Sequence, residues 1–273
     1  MNDPYRGEPW TDHRAYAVPA QPPLDRWFSS ERAIGIAAAV LIAAVTLISA
    51  LTAVSDWHSF RVLRAYEAGP IRDAAKLQQA DLVSGSLWVL SSIVLLAAAL
   101  VFLIWLWRVR WNAEMFCQGA HRHTRGWVIG AWICPVVNLW WPKQIIDDVL
   151  AASDRRTPAR IDSLRAVPNT ALVRAWWIAG LTGFLLDNAT NRRALIDDSS
   201  IGAIGVNAVL STGSAIATAV AAVLVIMIIE RVNALQTERP WEPWWSTPLA
   251  APQAPPGLPH YGPRGQSGPQ PSF

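Results

Sequence analysis

The sequence carries little charge for its length. Only 16% of its 273 residues are Asp, Glu, Lys or Arg, whereas 52% are hydrophobic, and the mean hydropathy is +0.22. A soluble domain carries about 25% charged residues. Charge is absent altogether from four runs, at 33–54, 82–107, 126–142 and 199–229. Because long uncharged apolar runs are typical of transmembrane helices, this distribution excludes a soluble globular enzyme.

The scarcity of cysteine and the absence of common catalytic motifs limit the classes of function that the sequence allows. Two cysteines, Cys117 and Cys134, are too few for a disulfide framework. The sequence has no CxxC motif, no Gly-rich phosphate loop and no Ser-His-Asp set with supporting sequence. We therefore expect no catalytic residues, no cofactor and no metal. The basic residues flank the apolar runs, which favours membrane orientation over nucleic-acid binding.

The apolar runs predict an all-α fold, namely a polytopic helical membrane protein. Transmembrane helices are expected at about 33–54, 82–107, 171–189 and 203–229. The span at 171–189 is the weakest, because Arg174 and Asp187 lie near its ends and must reach the headgroups. Small residues at four-residue spacing, Gly213, Ala217 and Ala221, predict close packing of the last span against a neighbour.

The run 126–142 decides the topology. It has 17 residues and contains Pro135, Asn138 and a closing Pro142, so we expect two short helical pieces rather than one straight span. If it does not cross and the N-terminus is cytoplasmic, fifteen basic residues lie inside and six outside. If it crosses, the numbers become nine and twelve, and reversing that five-span arrangement gives twelve and nine. The positive-inside rule favours four spans with a re-entrant or interfacial element, with five full spans as the alternative.

The segments outside the spans are of two kinds. Residues 57–66 and 143–152 have one apolar face each and predict interfacial helices. The tails, 1–31 and 240–273, are rich in Pro or Gly and lack apolar periodicity, which predicts disorder. Trp241, Trp244 and Trp245 soon after the last span are typical of an aromatic belt at a membrane surface.

A few polar residues could carry chemistry. Asn138 could bond the carbonyls that Pro135 frees, line a polar cavity or contact a substrate. Asp147 and Asp148 are adjacent on a helix and point about 100° apart, so we interpret them as a solvated polar face. His121 and His123 are two ligands where a metal needs three or four, and we interpret them as surface groups.

The segment 110–153 resembles the core of an actinobacterial membrane family, domain of unknown function 4328. The shared pattern starts with Arg110, Asn112 and Ala113, continues with Gly126 and Trp127, and then has Trp132, Pro135, Asn138, Leu139 and Pro142 before an amphipathic helix. Pro/Gly-rich tails and several flanking spans also suit the family. The resemblance covers about 85–240 and implies an architecture rather than an activity. Its candidate structural or functional positions are Trp132, Pro135, Asn138, Pro142, Arg110 and Asn112.

These features predict a multi-pass plasma-membrane protein whose N- and C-termini are cytoplasmic. We expect it to act without catalysis, through contacts with membrane lipids and with itself or another membrane protein. The alternative is a small transporter or channel whose broken segment 126–142 lines the path, as discontinuous helices do in transporters. No inverted repeat is visible and no span carries a central charge, which disfavours this alternative.

Overall fold

The computed structural model describes residues 31–69, 74–168, 170–194, 200–239 and 243–246. These residues form α-helices and short 3-10 turns and contain no β-strand. The helices are α1 (Glu31–Ala68), α2 (Ala74–Phe116), α3 (Trp127–Ile133), α4 (Trp141–Ser153), α5 (Ala171–Ala194) and α6 (Ile201–Glu238). The 3-10 turns are Val137–Leu139, Leu164–Ala166 and Trp244–Ser246. The tails predicted as disordered lie outside the described residues, apart from Glu31, which begins α1, and 243–246.

Three of the described helices, α1, α2 and α6, are long and apolar enough to cross a membrane. With 38 residues, α1 and α6 are about 57 Å long, well above the roughly 30 Å of bilayer hydrocarbon. The fourth predicted span falls within α5, which has 24 residues and is not among these three. The fold is therefore all-helical with three candidate spans.

Helices α1, α2 and α6 extend beyond the predicted spans in both directions, and α5 extends beyond its predicted span at the C-terminal end. The separate interfacial helix predicted at 57–66 is wrong, because α1 continues without a break to Ala68. No proline interrupts α1 before Pro70, so the backbone hydrogen bonds continue through the amphipathic segment. At the start of α6, the side chain of Ser200 accepts a hydrogen bond from the backbone N–H of Ala203 and caps the helix.

The long helices pack side by side in the order α2, α1, α6 and α5. Helix α1 runs along both α2 and α6, and α5 runs along α6. The α5–α6 contact is close: a Cβ at Gly183 would lie 3.6 Å from that of Ala217, and one at Gly213 would lie 3.3 Å from Leu186 Cδ1. This is the packing that the small residues of the last span predicted. The short helices α3 and α4 lie between α2 and α5.

The bundle has two different ends. We call the Glu31 end the one where α1 and α5 begin and α2 and α6 finish, and the Trp57 end the opposite one. Most of the fully buried apolar side chains belong to the Glu31 half. They include Trp105, Leu106, Val109, Ile145, Ile146, Val149, Ile228, Ile229 and Val232. The core therefore lies where α3 and α4 cover α2 and α6.

The segment 126–142 folds as two short helical pieces, α3 and the 3-10 turn Val137–Leu139. Helix α3 ends at Ile133 because Cys134 has an extended backbone (φ −80°, ψ 113°). The ring of Pro135 disfavours the helical conformation at the residue before it, so the break follows from the sequence. The chain before this segment contacts the chain after it, because Asp148 accepts a hydrogen bond from the backbone N–H of Arg122 at 2.7 Å.

Candidate functional site

A buried hydrogen-bond network joins four helices at the Glu31 end. The amide of Asn112 donates to Gln236 Oε1 at 3.0 Å and to the carboxylate of Glu31. The amide of Gln236 donates in turn to Val109 O and to Ser153 Oγ, both at 2.9 Å. Each of these polar side chains is buried. The network therefore ties α1, α2, α4 and α6 together through side chains that have left water, where a lost partner costs the most.

Arg110 forms a second network on the other face of α2. Its side chain is 2% exposed, and its Nε donates to Glu114 Oε1 at 2.9 Å, one helical turn away. Its Nη2 donates to the carbonyl of His123 at 2.9 Å. Glu114 also accepts from Arg125, whose guanidinium lies 3.9 Å from the centroid of the Trp111 ring. Arg110 thus fixes the loop that leads into α3 against the end of α2.

The two carboxylates of α4 are buried, so the predicted solvated face is wrong. Asp147 is 4% exposed and accepts from Lys143 Nζ at 2.6 Å. Asp148 is 1% exposed and meets Arg122 through the backbone N–H and, at 3.4 Å, through Nε. The reason is tertiary: the loop before α3 folds back onto Asp148, and Asp147 faces the connection after α4 and the last turns of α6. Burial raises the pKa of Asp148, although Arg122 partly opposes the shift.

The histidines belong to the same loop and are not the surface groups that we predicted. Burial and the nearby Arg110 lower the pKa of His121 to about 3, so this ring is neutral near pH 7. His123 stacks on Trp141 with ring centroids 4.2 Å apart, and its Nε2 is 2.7 Å from Gln144 Oε1. Within the part of the chain that the structure describes, no group of three or more His, Cys, Asp or Glu could hold a metal ion.

Trp132 in α3 is the centre of an aromatic cluster. Its ring contacts Phe102 of α2 edge-to-face, with centroids 5.7 Å apart, and contacts Trp176 and Trp177 of α5 at 6.5 and 6.3 Å. The indole N–H of Trp177 donates to the carbonyl of Leu139 at 2.7 Å. The broken segment therefore connects α2 to α5, two helices that do not run along each other.

The remaining motif residues, Pro135, Asn138 and Pro142, lie at the break after α3 and at the start of α4. Pro135 is exposed and separates α3 from the 3-10 turn, whereas Pro142 is buried in the first turn of α4, where a missing N–H costs nothing. Asn138 is half-buried, and its backbone N–H donates to the carbonyl of Cys134 at 3.0 Å. The backbone of Asn138 thus makes a bond across the break at Pro135.

An apolar groove of about 270 Å³ lies beside the aromatic cluster. Its walls come from α1, α2, α3, α5 and α6, and they are almost entirely apolar. The lining residues are Ile42, Val45, Thr46, Leu95, Ala98, Ala99, Phe102, Trp132, Trp176, Thr218, Ala221, Ala222 and Val225. Asn138 is not among them. Most of the lining belongs to the three helices that are apolar enough to cross a membrane.

Comparison with known proteins gives one family. The sequence profile described as Domain of unknown function (DUF4328) matches residues 68–234, more than half of the chain. The chain belongs to this family. No curated protein and no solved structure matches the chain. In this DUF4328 member, the motif residues of 110–142 lie where α2 ends, around the break and at the start of α4.

The sequence predicted some residues of each hydrogen-bond network but not their partners. It selected Arg110, Asn112 and Trp132, but not Glu114, Glu31 or Gln236. Glu114 had a local signal, because it lies four residues after Arg110 on a helix. Glu31 and Gln236 are 81 and 124 residues away from Asn112 in sequence, so no local pattern links them.

Proposed function

We propose that this DUF4328 protein is a multi-pass protein of the plasma membrane with four spans, provided by α1, α2, α5 and α6. In this topology, 126–142 is a re-entrant or interfacial element on the cytoplasmic side, and both termini are cytoplasmic. The distribution of basic residues supports it. Further support comes from the contact between Arg122 and Asp148, which join the chain before and after the broken segment.

Cysteine labelling tests this topology. Thr124, Arg155 and Arg61 are exposed, and each is replaced by cysteine in a variant that lacks Cys117 and Cys134. A membrane-impermeant thiol reagent on intact cells should label position 61 and leave positions 124 and 155 unmodified until the cells are permeabilised. Labelling of 155 without 124 would mean that the segment crosses and that the C-terminus is outside.

We further propose that the protein acts without catalysis by holding a lipid acyl chain in the apolar groove. The groove is the observation that carries this proposal, because its apolar walls belong to helices that would be surrounded by hydrocarbon. Ile42, Leu95 and Thr218 lie near the middle of the predicted spans, at a depth where a bilayer supplies acyl chains. A groove open to lipid gains dispersion contacts only when a chain fills it.

Photocrosslinking tests the groove. A phospholipid with a diazirine on its acyl chain should label peptides that contain Phe102 or Ile42. Ala99→Phe fills the groove from an exposed position on α2, and we expect it to lower this labelling about ten-fold. Ala43→Phe is the matched control, because Ala43 is exposed on α1 but does not line the groove. Equal labelling in both variants would contradict the proposal.

A transporter or channel is the second candidate. The observation that bears on it is the chemistry of the groove: the broken segment contributes Trp132 to an apolar wall, and the polar Asn138 is not part of that wall. A path for polar solutes needs polar groups at this depth. We therefore expect purified protein in liposomes to show no flux of small ions above empty vesicles, and a flux that Asn138→Ala abolishes would favour transport.

A further inference from the structure

A second cavity lies at the Glu31 end, outside the apolar part of the bundle. It has a volume of about 340 Å³ and is bounded by α4, residues 154–168, Thr170 and the last turns of α6. Its apolar wall includes Leu150 and Leu235. Arg231, which also lines it, is two residues beyond the predicted span 203–229, so the cavity is at headgroup depth in the proposed topology.

The cavity combines two cations with two carboxylates. Arg156 and Arg231 are exposed, and neither has an ion-pair partner among the described residues. Asp147 lines the same cavity and is 4% exposed: Lys143 binds its Oδ2 at 2.6 Å, but Oδ1 accepts no hydrogen bond from any described residue. Asp154 completes the set, and its Oδ1 accepts from the backbone N–H of Arg156 at 2.9 Å.

We propose that this cavity binds the headgroup of a phospholipid that carries a primary ammonium. The phosphate is held by Arg156 and Arg231, the ammonium is directed to Asp147 and Asp154, and the glycerol region lies against the apolar wall. Guanidinium groups bind phosphate through charge-assisted hydrogen bonds, and basic pockets on the cytoplasmic side recognise lipid headgroups. The proposal rests on the proposed function in two respects: the ligand comes from the bilayer, and the four-span topology puts the cavity at headgroup depth.

The carboxylates decide which headgroup fits. A primary ammonium has three N–H donors and can supply the hydrogen bond that Asp147 Oδ1 lacks, whereas a trimethylated ammonium has no N–H to donate. A buried carboxylate oxygen without a donor is costly, so the ligand that pairs it binds more tightly. The same amine and phosphate also occur in soluble phosphoethanolamine, which lacks the apolar portion that Leu150 and Leu235 would contact.

The test measures binding to purified full-length protein by native mass spectrometry. For the unmodified protein we expect phosphatidylethanolamine to bind about ten-fold more tightly than phosphatidylcholine of the same chains. Arg231→Gln should weaken both about equally. Asp147→Asn should remove the preference for phosphatidylethanolamine. If loss of the Lys143 pair unfolds that variant, Asp154→Asn replaces it in the test and should reduce the same preference. Arg192→Gln, an exposed arginine near the end of α5, is the matched control and should change neither affinity.

Several results would overturn the proposal. Equal affinity for the two lipids would show that no carboxylate recognises the ammonium. Phosphoethanolamine binding as tightly as the lipid would show that the ligand is a soluble molecule. Loss of the preference in Ala99→Phe would also contradict it, because that substitution fills the other groove. Conversely, if Ala99→Phe removes acyl labelling but keeps the headgroup preference, the two sites are separate.

Discussion

The two ends of the bundle are fastened in different ways. At the Glu31 end, buried Asn112 and Gln236 bond to each other and to two further helices, and Arg110 is enclosed with its partners. At the Trp57 end, the interhelical polar contacts are separate pairwise bonds, such as that from Trp57 Nε1 to Thr212 Oγ1 at 3.0 Å and that between the hydroxyls of Ser55 and Ser84 at 3.2 Å. The helices therefore share a connected buried network at the Glu31 end and are joined by isolated polar contacts at the Trp57 end.

The apolar residues show the same contrast. Trp88 in α2 is 67% exposed, and Val54 and Ile93 are exposed to a similar extent. Trp105, which lies nearer the Glu31 end of α2, is 1% exposed. In water such exposed side chains would be an aggregation hazard, but for a bilayer protein they are the surface that lipid solvates. Because lipid tails give little drive for helix association, the buried polar networks at the Glu31 end and the close packing of α5 against α6 supply it.

Of the substitutions at the two ends, removal of Arg110 should destabilise the protein most. Arg110→Ala leaves the His123 carbonyl without this donor and leaves Arg125 as the donor to the Glu114 carboxylate. We expect the free energy of unfolding to fall by about 1.5–3 kcal/mol, the usual effect of losing a buried hydrogen bond that involves a charged group. Thermal unfolding in detergent measures it. Arg192→Ala, on an exposed part of α5, should leave the midpoint unchanged, and an equal loss in both variants would show that the Arg110 network is not structurally important.

Much of this arrangement could be predicted from sequence. The four helical regions, the break at Pro135 and the importance of Arg110, Asn112 and Trp132 follow from hydropathy, proline stereochemistry and the family pattern. The partners could not be predicted, because Gln236 and Asn112 meet only through the packing of α2 against α6. The burial of Asp147 and Asp148 was missed for the same reason: a helical period shows which residues share a face, but not which loop covers that face.

Two double-mutant cycles should show that the buried network at the Glu31 end couples its residues more strongly than the exposed contact at the Trp57 end does. We expect Asn112→Leu and Gln236→Leu to show a coupling free energy of about 1–2 kcal/mol, because their bond is buried and shared with Ser153. Trp57→Phe and Thr212→Val, at the exposed contact, should show about 0.5 kcal/mol or less. Chemical unfolding of the single and double variants in the same detergent measures both. Equal coupling at the two ends would contradict the view that one end holds the bundle.

Matched glycine substitutions probe close packing at the two ends. A Cβ at Gly35 would lie 2.5 Å from Asn233 Nδ2 and 3.1 Å from Trp105 Nε1, and these two side chains are hydrogen-bonded to each other at 3.0 Å. Gly35→Ala should therefore destabilise the protein by about 1 kcal/mol, the lower part of the range for overpacking. Gly85→Ala in α2 meets nothing within 4 Å and should stabilise by about 0.5 kcal/mol, since alanine is the better helix former. If both changes stabilise, the approach of α1 to α6 is not tight.

The smallest effect at neutral pH should come from His121. Its folded-state pKa of about 3 lies below the ordinary value of 6.5, because burial and Arg110 disfavour the charged ring. Between these values the unfolded chain binds a proton that the folded chain does not. The contribution of this ring to the free energy of unfolding is thus complete above about pH 6.5 and is lost as the pH falls towards 3. Asp148, whose pKa is raised by burial, has the opposite pH dependence. Because Asp148 is present in both the unmodified protein and a His121 variant, it does not affect the difference between them.

His121→Gln should match the unmodified protein in pH dependence above pH 7 and lose less stability between pH 6.5 and 4. Parallel stability curves across that window, measured by thermal unfolding in one detergent, would mean that His121 is protonated as readily in the folded protein as in the unfolded chain.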